Sequence, residues 1–361
     1  DFDTTLQGPF DSAAAASGRF ADGVLSTTYT AFLPSLDPFV PDIPGAVSLS
    51  GTVQQVPEGW EFDTNVSGPY ASSARTRGQF LDGVLRADYT ANLPNISDVA
   101  PGVPGAASVR GNVQQVPEGW EFTTNLSGPY DSTGNVNGSY KAARLASAFQ
   151  VAVPNLSALA TGVSGALEVD GTLAQLDNGW SVNTKIAGPY NSTGTIDGTF
   201  GDVGTMARYA IQMPEVGSLV PQMSGAAAIT GTATQVPRGF DIDAALQGPS
   251  GTTANVRGLV GTDGQLALDA SGQAQLGLIN PFIAPRSITG PVSFDLTVDG
   301  PPELGSVQGK ITTQGTRIAM PNLPLSFSDL SGAVSLSRGQ AQLDLNGQVT
   351  EGGAINISGP I

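Results

Sequence analysis

The sequence predicts an all-β fold, elongated and repetitive: a mainly antiparallel sheet with about four strands per 60-residue repeat and short helical or loop crossings. Three observations carry this. Gly-Pro recurs at Gly8-Pro9, Gly68-Pro69, Gly128-Pro129, Gly188-Pro189 and Gly248-Pro249, and the stretch QQVPEGWEF stands twice, at Gln54–Phe62 and Gln114–Phe122. Two aromatic series keep the same spacing: Trp60, Trp120, Trp180 and Phe240, then Tyr29, Tyr89, Phe149 and Tyr209. A period in this range marks stacked units, none of which buries its apolar face alone. Around these marks apolar and polar residues alternate with period two, the pattern of a half-buried antiparallel strand.

The strand before each Gly-Pro shows the alternation most clearly. Trp60, Phe62, Thr64 and Val66 alternate with Glu61, Asp63 and Asn65. Its equivalents put Trp120, Phe122 and Leu126, then Trp180, Val182 and Ile186, then Phe240, Ile242 and Leu246 on one face. The preceding strand carries Val47, Leu49, Gly51 and Val53, and turns such as Pro57-Glu58-Gly59 join the two as a hairpin. A weaker strand follows Gly-Pro, for example Val136, Gly138 and Tyr140. A longer strand, such as Leu85, Ala87, Tyr89, Ala91 and Leu93, then runs to Pro94.

The connection after that proline has apolar residues three apart: Leu36 and Phe39, Ile96 and Val99, Leu156 and Leu159, Val216 and Leu219. Asn95 and Asn155 suit N-caps, so one helical turn with two apolar anchors over an edge or end of the sheet is expected, with a tethered surface loop as the alternative. Glycine lines at 18, 78, 138 and 198 and at 51, 111, 171 and 231 suggest a sheet bent along its length. The alternative is that these sites are small to fit a facing aromatic.

Past Gly248 the register loosens, so residues 1–249 are read as regular repeats and 250–361 as a continuation with shortened, less regular ones. Phe294 and Leu296 continue the apolar series, and Pro281 and Pro285 mark an irregular connection. Roughly six units of four strands would extend on the order of 115 Å at about 4.8 Å per strand. A flat open sheet that wide is unusual, so something must cover the repeated apolar face.

Composition narrows the function classes. A net charge of −16 argues against nucleic-acid binding and against simple adhesion to an anionic bilayer. The chain has no His and no Cys, which removes imidazole- and thiolate-based catalysis and metal ligation. No P-loop motif is present, and carboxylates such as Glu61, Asp63, Asp241 and Asp243 fall on the polar, solvated face. No enzyme activity and no cofactor are expected. The chain starts and stops in mid-pattern, so it is expected to be an internal segment of a longer protein.

The unit Leu145…Val153-Pro154-Asn155-Leu156-Ser157-Ala158-Leu159…Gly165-Ala166-Leu167…Gly171…Gly179-Trp180…Gly188-Pro189 resembles the repeats of the translocation and assembly module (TamB) family of the Gram-negative envelope. So does the tail Gly290-Pro291-Val292…Asp299-Gly300-Pro301-Pro302…Leu330-Ser331-Gly332-Ala333-Val334-Ser335-Leu336. The likeness covers essentially the whole chain and rests on the series, since no single motif is diagnostic. It implies a taco-shaped β-groove with a hydrophobic interior, a periplasmic location and an inner-membrane anchor outside this segment. It also implies an outer-membrane barrel partner, TamA-like, docking through regions outside this segment. The implied activities are phospholipid movement between the two membranes and support of outer-membrane assembly.

Acyl chains would then lie against Trp60, Phe62, Val66, Trp120, Phe122, Leu126, Trp180, Val182, Ile186, Phe240, Ile242 and Leu246, with Tyr29, Tyr89, Phe149, Tyr209, Phe294 and Leu296 beside them. Each methylene shielded from water contributes about 0.8 kcal/mol. Two other classes fit composition and period: a structural β-solenoid stalk with a dry core, and a scaffold that pairs strands with a barrel under assembly.

Overall fold

Period-two alternation becomes antiparallel ladders in both units. The computed structural model describes residues 1–37, 45–99, 102–159, 163–202, 204–220, 223–320, 326–337, 339–350 and 352–360. Two units are present, Asp1–Leu176 and Asp177–Ile361.

The first unit is a meander of β1 (Phe2–Gln7), β2 (Ala13–Ala21), β3 (Val24–Leu33), β4 (Val47–Val56), β5 (Gly59–Ser67), β6 (Ser73–Leu81), β7 (Val84–Leu93), β8 (Ala107–Val116), β9 (Gly119–Ser127), β10 (Thr133–Lys141), β11 (Arg144–Val153) and β12 (Leu167–Leu176). Each strand pairs antiparallel with the next. Among the described residues β1 pairs only with β2, so this sheet is open and not closed into a barrel.

The second unit continues the scheme with β13 (Gly179–Ala187), β14 (Thr193–Phe200), β15 (Met206–Met213), β16 (Ala227–Val236), β17 (Gly239–Gly248), β18 (Thr252–Gly261) and β19 (Leu266–Gln275). Helical turns over 276–283 and the short β20 (Ser287–Thr289) follow, where Pro281 and Pro285 predict an irregular connection. β19 pairs past this insertion with β21 (Pro291–Gly300), while β20 pairs with the far end of β22 (Val307–Ala319). β23 (Ser326–Ser337), β24 (Gln340–Val349) and β25 (Ala354–Pro360) complete the unit, with bulges between β22 and β23.

Three kinds of connection recur. Asp22-Gly23 and Asp82-Gly83 are two-residue turns with positive φ at both positions, the geometry that matches strand twist. At the Gly-Pro marks the chain turns a five-residue corner. The amide of Gly68 donates to the carbonyl of Ser72, the amide of Ser72 donates to that of Pro69, and Tyr70 and Ala71 between them are left-handed, at φ 58° and 56°. The same corner stands at 8–12, 128–132 and 188–192. Nothing in the sequence reading anticipated bulky left-handed residues here.

The third connection is the expected helical turn. One-turn 3-10 helices cover Ile96–Asp98, Leu156–Ala158 and Val216–Ser218. Asn95 and Asn155 cap the first two by accepting from the amides two residues on. Glu215 takes that role in the third, accepting from the amides of Gly217 and Gly225 at 2.9 and 2.8 Å. These two bonds hold its carboxyl below the usual carboxylate range.

Only half of the anchoring expectation holds. Ile96, Leu156 and Val216 are half-buried, whereas Val99, Leu159 and Leu219 are about half exposed, at 51%, 51% and 47%. The turn closes on itself through a backbone bond, such as Ile96 N to Gly105 O at 2.7 Å, and needs no second hydrophobic contact. Phe39 lies outside the described residues.

Candidate lipid-facing surface and the polar face behind it

Cross-strand register shows how the sheet sorts its side chains. In the first unit one row runs Gln55, Trp60, Phe80, Leu85, Gln115, Trp120, Tyr140 and Leu145 across successive strands. The next row holds Val53, Phe62, Gly78, Ala87, Val113, Phe122 and Gly138. A third holds Tyr29, Gly51, Thr64, Thr76, Tyr89, Gly111, Thr124, Val136 and Phe149. Val66 and Leu126 stand in a fourth.

All the candidate residues of this unit therefore share one face. In the second unit Trp180, Val182, Ile186, Tyr209, Phe240, Ile242, Leu246, Phe294 and Leu296 do the same. In both units the described regular strands place no Asp, Glu, Lys or Arg on that face. An uncompensated charge there would face apolar neighbours.

The rings lie down on this face. The hydroxyl of Tyr29 (β3) reaches across Gly51 (β4) to Thr64 Oγ1 (β5) at 2.5 Å, and Tyr89 reaches across Gly111 to Thr124 in the same way. A Cβ on Gly51 or Gly111 would sit 2.4 Å from the tyrosine oxygen, and one on Gly78 or Gly138 would strike the ring of Phe62 or Phe122. Gly18, Gly51, Gly78, Gly111, Gly138 and Gly231 thus fit the alternative reading, small to receive an aromatic, whereas Gly198 meets the backbone of Met206 and Ala207. Neighbouring backbone does come close as well, with Asp63 O 2.6 Å from the same point over Gly51. In the second unit Trp180 stacks on Phe200, with ring centroids 6.5 Å apart and planes at 16°.

The face is only partly shielded from solvent. Among the described residues only Ala87, Val153, Ala244 and Leu330 are fully buried apolar side chains, while Leu126, Phe240 and Leu246 are more than a third exposed. The remaining candidates are half-buried. At the margin of the face, Gln55, Gln115 and Gln175 accept from the amides of Leu25, Leu85 and Leu145, the second residues of β3, β7 and β11. Their sixty-residue spacing was the available signal, and the sequence reading passed over it.

The other face carries the charge. Asp63 accepts from Arg75 Nε at 2.8 Å and Nη2 at 2.5 Å, and from Arg77 Nε at 2.8 Å. Hydrogen bonds from Arg75 and then Arg77 hold its carboxyl far below the ordinary carboxylate range. Asp63 raises the Arg75 guanidinium in return. Lys141 pairs with Glu121, and Arg257 with Asp243.

Three ligand-sized recesses of the first unit, of about 630, 590 and 770 Å³, are lined chiefly by residues of this polar face. The sequence reading put such space on the apolar side. A further recess of about 510 Å³ does open on the apolar side, against Leu6, Ala14, Ala31, Leu33, Val47 and Leu49 at the start of the first unit, while rings lying flat over glycine occupy the rows around Gly51, Gly78, Gly111 and Gly138. Among the described residues no cluster of three or more His, Cys, Asp or Glu could hold a metal, and no helix is long and apolar enough to cross a membrane. Compared with known proteins, the chain matches no family model, no curated protein and no solved structure.

Proposed function

We propose that the charge-free apolar face carries phospholipid acyl chains, as a segment of a periplasm-spanning lipid conduit of the TamB type. The observation that carries this reading is the combination of repetition and incomplete burial. The same lining recurs every sixty residues, and it stays half-exposed where a dry stalk would have closed over it. Rings laid flat over glycine make a low, continuous apolar surface. A chain lying on it meets nearly the same energy at each repeat, so no position traps it. The role is binding and conduction without covalent chemistry, and an outer-membrane barrel would be engaged through regions outside this segment.

Photo-crosslinking tests the proposal. A benzophenone side chain at Phe62, Phe122 or Val182 should form adducts with phospholipid acyl chains in envelope membranes. The same group at Thr123 or Asn183, on the opposite face, should not. Equal labelling from both faces, or none from either, overturns the reading.

A further inference from the structure

We propose a second binding site, on the opposite face: the row Asn65, Arg75, Thr90, Arg110, Asn125 is a cradle for a phosphate-bearing anion. Arg75 stands directly opposite Thr90, and Thr90 opposite Arg110, with Asn65 and Asn125 next in line on β5 and β9. Two strand spacings separate the arginines, about 10 Å between their backbones. Both guanidinium groups can therefore reach one anion above the Thr90 hydroxyl. The row lines the recess of about 770 Å³, whose rim carries further Ser and Asn side chains and no carboxylate. That is unusual placement in a chain of net charge −16.

The two guanidinium groups are prepared differently. Asp63, one row away, grips the Nε–Nη2 edge of Arg75, which fixes its direction and leaves the Nη1 side open. Arg110 is exposed and has no ion pair among the described residues. A planar fork with paired donors suits phosphate oxygens in bidentate fashion, with a hydroxyl and two carboxamides adding neutral donors.

The repeat argues that the strands do not require these arginines. Sixty residues later the positions of Arg75, Thr90 and Arg110 hold Asn135, Gln150 and Asp170, and sixty residues earlier they hold Ala15, Thr30 and Ser50. The same strands form in all three places. The site is also independent of acyl chains on the apolar face. It lies on the other side of the same strands, so a lipid bound there cannot bring its own head group to Arg75 and Arg110.

The test is a titration followed by phosphorus NMR, with two probes: inorganic phosphate, and dihexanoyl phosphatidylglycerol below its micelle concentration. Phosphate should bind the unmodified protein and be displaced by salt. Arg110→Gln should weaken it about tenfold, and Arg110→Lys, which keeps the charge and loses the fork, by a smaller factor. Arg257→Gln, on β18 of the second unit, should leave it unchanged. Because the short lipid's tails also meet the apolar face, the two probes are compared by the affinity that Arg110→Gln removes: a larger loss for the short lipid identifies a head-group site, and an equal loss a site for the phosphate group itself. Arg Nε–H resonances of the unmodified protein supply a readout free of any folding defect: those of Arg75 and Arg110 should shift on adding phosphate. Failure of phosphate to bind, binding indifferent to Arg110→Gln, or Nε–H signals that do not move overturns the proposal.

Discussion

The hydroxyl of Tyr89 meets Thr124 Oγ1 at 2.5 Å from two strands away, and Gly111 between them is the residue that lets the ring pass. The three form one device, repeated at Tyr29, Gly51 and Thr64. Gly111→Ala should cost about 1–3 kcal/mol, because the new methyl and the phenol claim the same space and the ring must lift. Tyr89→Phe should cost about 1 kcal/mol, the net worth of the bond. Urea unfolding of the two single variants and the double variant measures the coupling. Additive effects would mean that ring and glycine do not share the site.

That device shows where the sequence was legible and where it was not. Alternation told the faces apart, because a strand has only two sides and Trp60, Phe62 and Val66 keep the same parity. It also placed Asp63 and Asp243 correctly on the polar side. Pairing between particular rows depends on register, which the alternation leaves open. So Gly51 could be read as a bend when it is a seat for Tyr29. The corner at Tyr70 and Ala71 was hidden for another reason. Left-handed backbone normally announces itself through Gly or Asn, and here neither residue is present. The recess at Arg75 and Arg110 was hidden because the two lie thirty-five residues apart and meet only through β7.

Asp63 sets a pH dependence with a definite sign. Its carboxyl is depressed in the folded protein by Arg75 and Arg77, relative to about 3.9 in an unfolded chain. Its contribution to stability is therefore fully present above that unfolded value and is lost only as pH falls toward the depressed folded value. Carbon NMR of labelled aspartate should show Asp63 still ionised where exposed carboxylates are already protonated. Asp63→Asn should lower stability at neutral pH and remove the part of the acid-induced loss that sets in below about pH 4. An ordinary titration curve for Asp63 would contradict the three-bond geometry.

Ala142 and Ala143 occupy the hairpin position that Asp82 and Gly83 fill one repeat earlier, and both are left-handed, at φ 48° and 60°. An L-residue with a Cβ pays roughly 1–2 kcal/mol for that conformation, and glycine escapes it. Replacing the pair with Asp-Gly should raise stability by about 1 kcal/mol and leave the strands on either side unchanged. Thermal unfolding followed by circular dichroism checks it. No gain would mean that the turn relaxes when β10 and β11 are not held by their neighbours.

Placing a charge on the apolar face separates an open lining from a packed interior. Val182 is half-buried on β13, opposite Gly198, and Ile242 is half-buried on β17, opposite Gly258. A carboxylate at either position can turn toward water if the face is open, so Val182→Asp or Ile242→Asp should cost only about 1–3 kcal/mol and leave the strand signal in circular dichroism intact. The same charge should repel acyl chains, lowering lipid adduct yield from neighbouring positions about tenfold, since displacing two methylenes from contact forfeits roughly 1.6 kcal/mol. In a sealed core the carboxylate would have no route to solvent, and the unit would unfold before any lipid measurement was possible. Loss of the strand signal in both variants would therefore point to a closed interior and against conduction along this face.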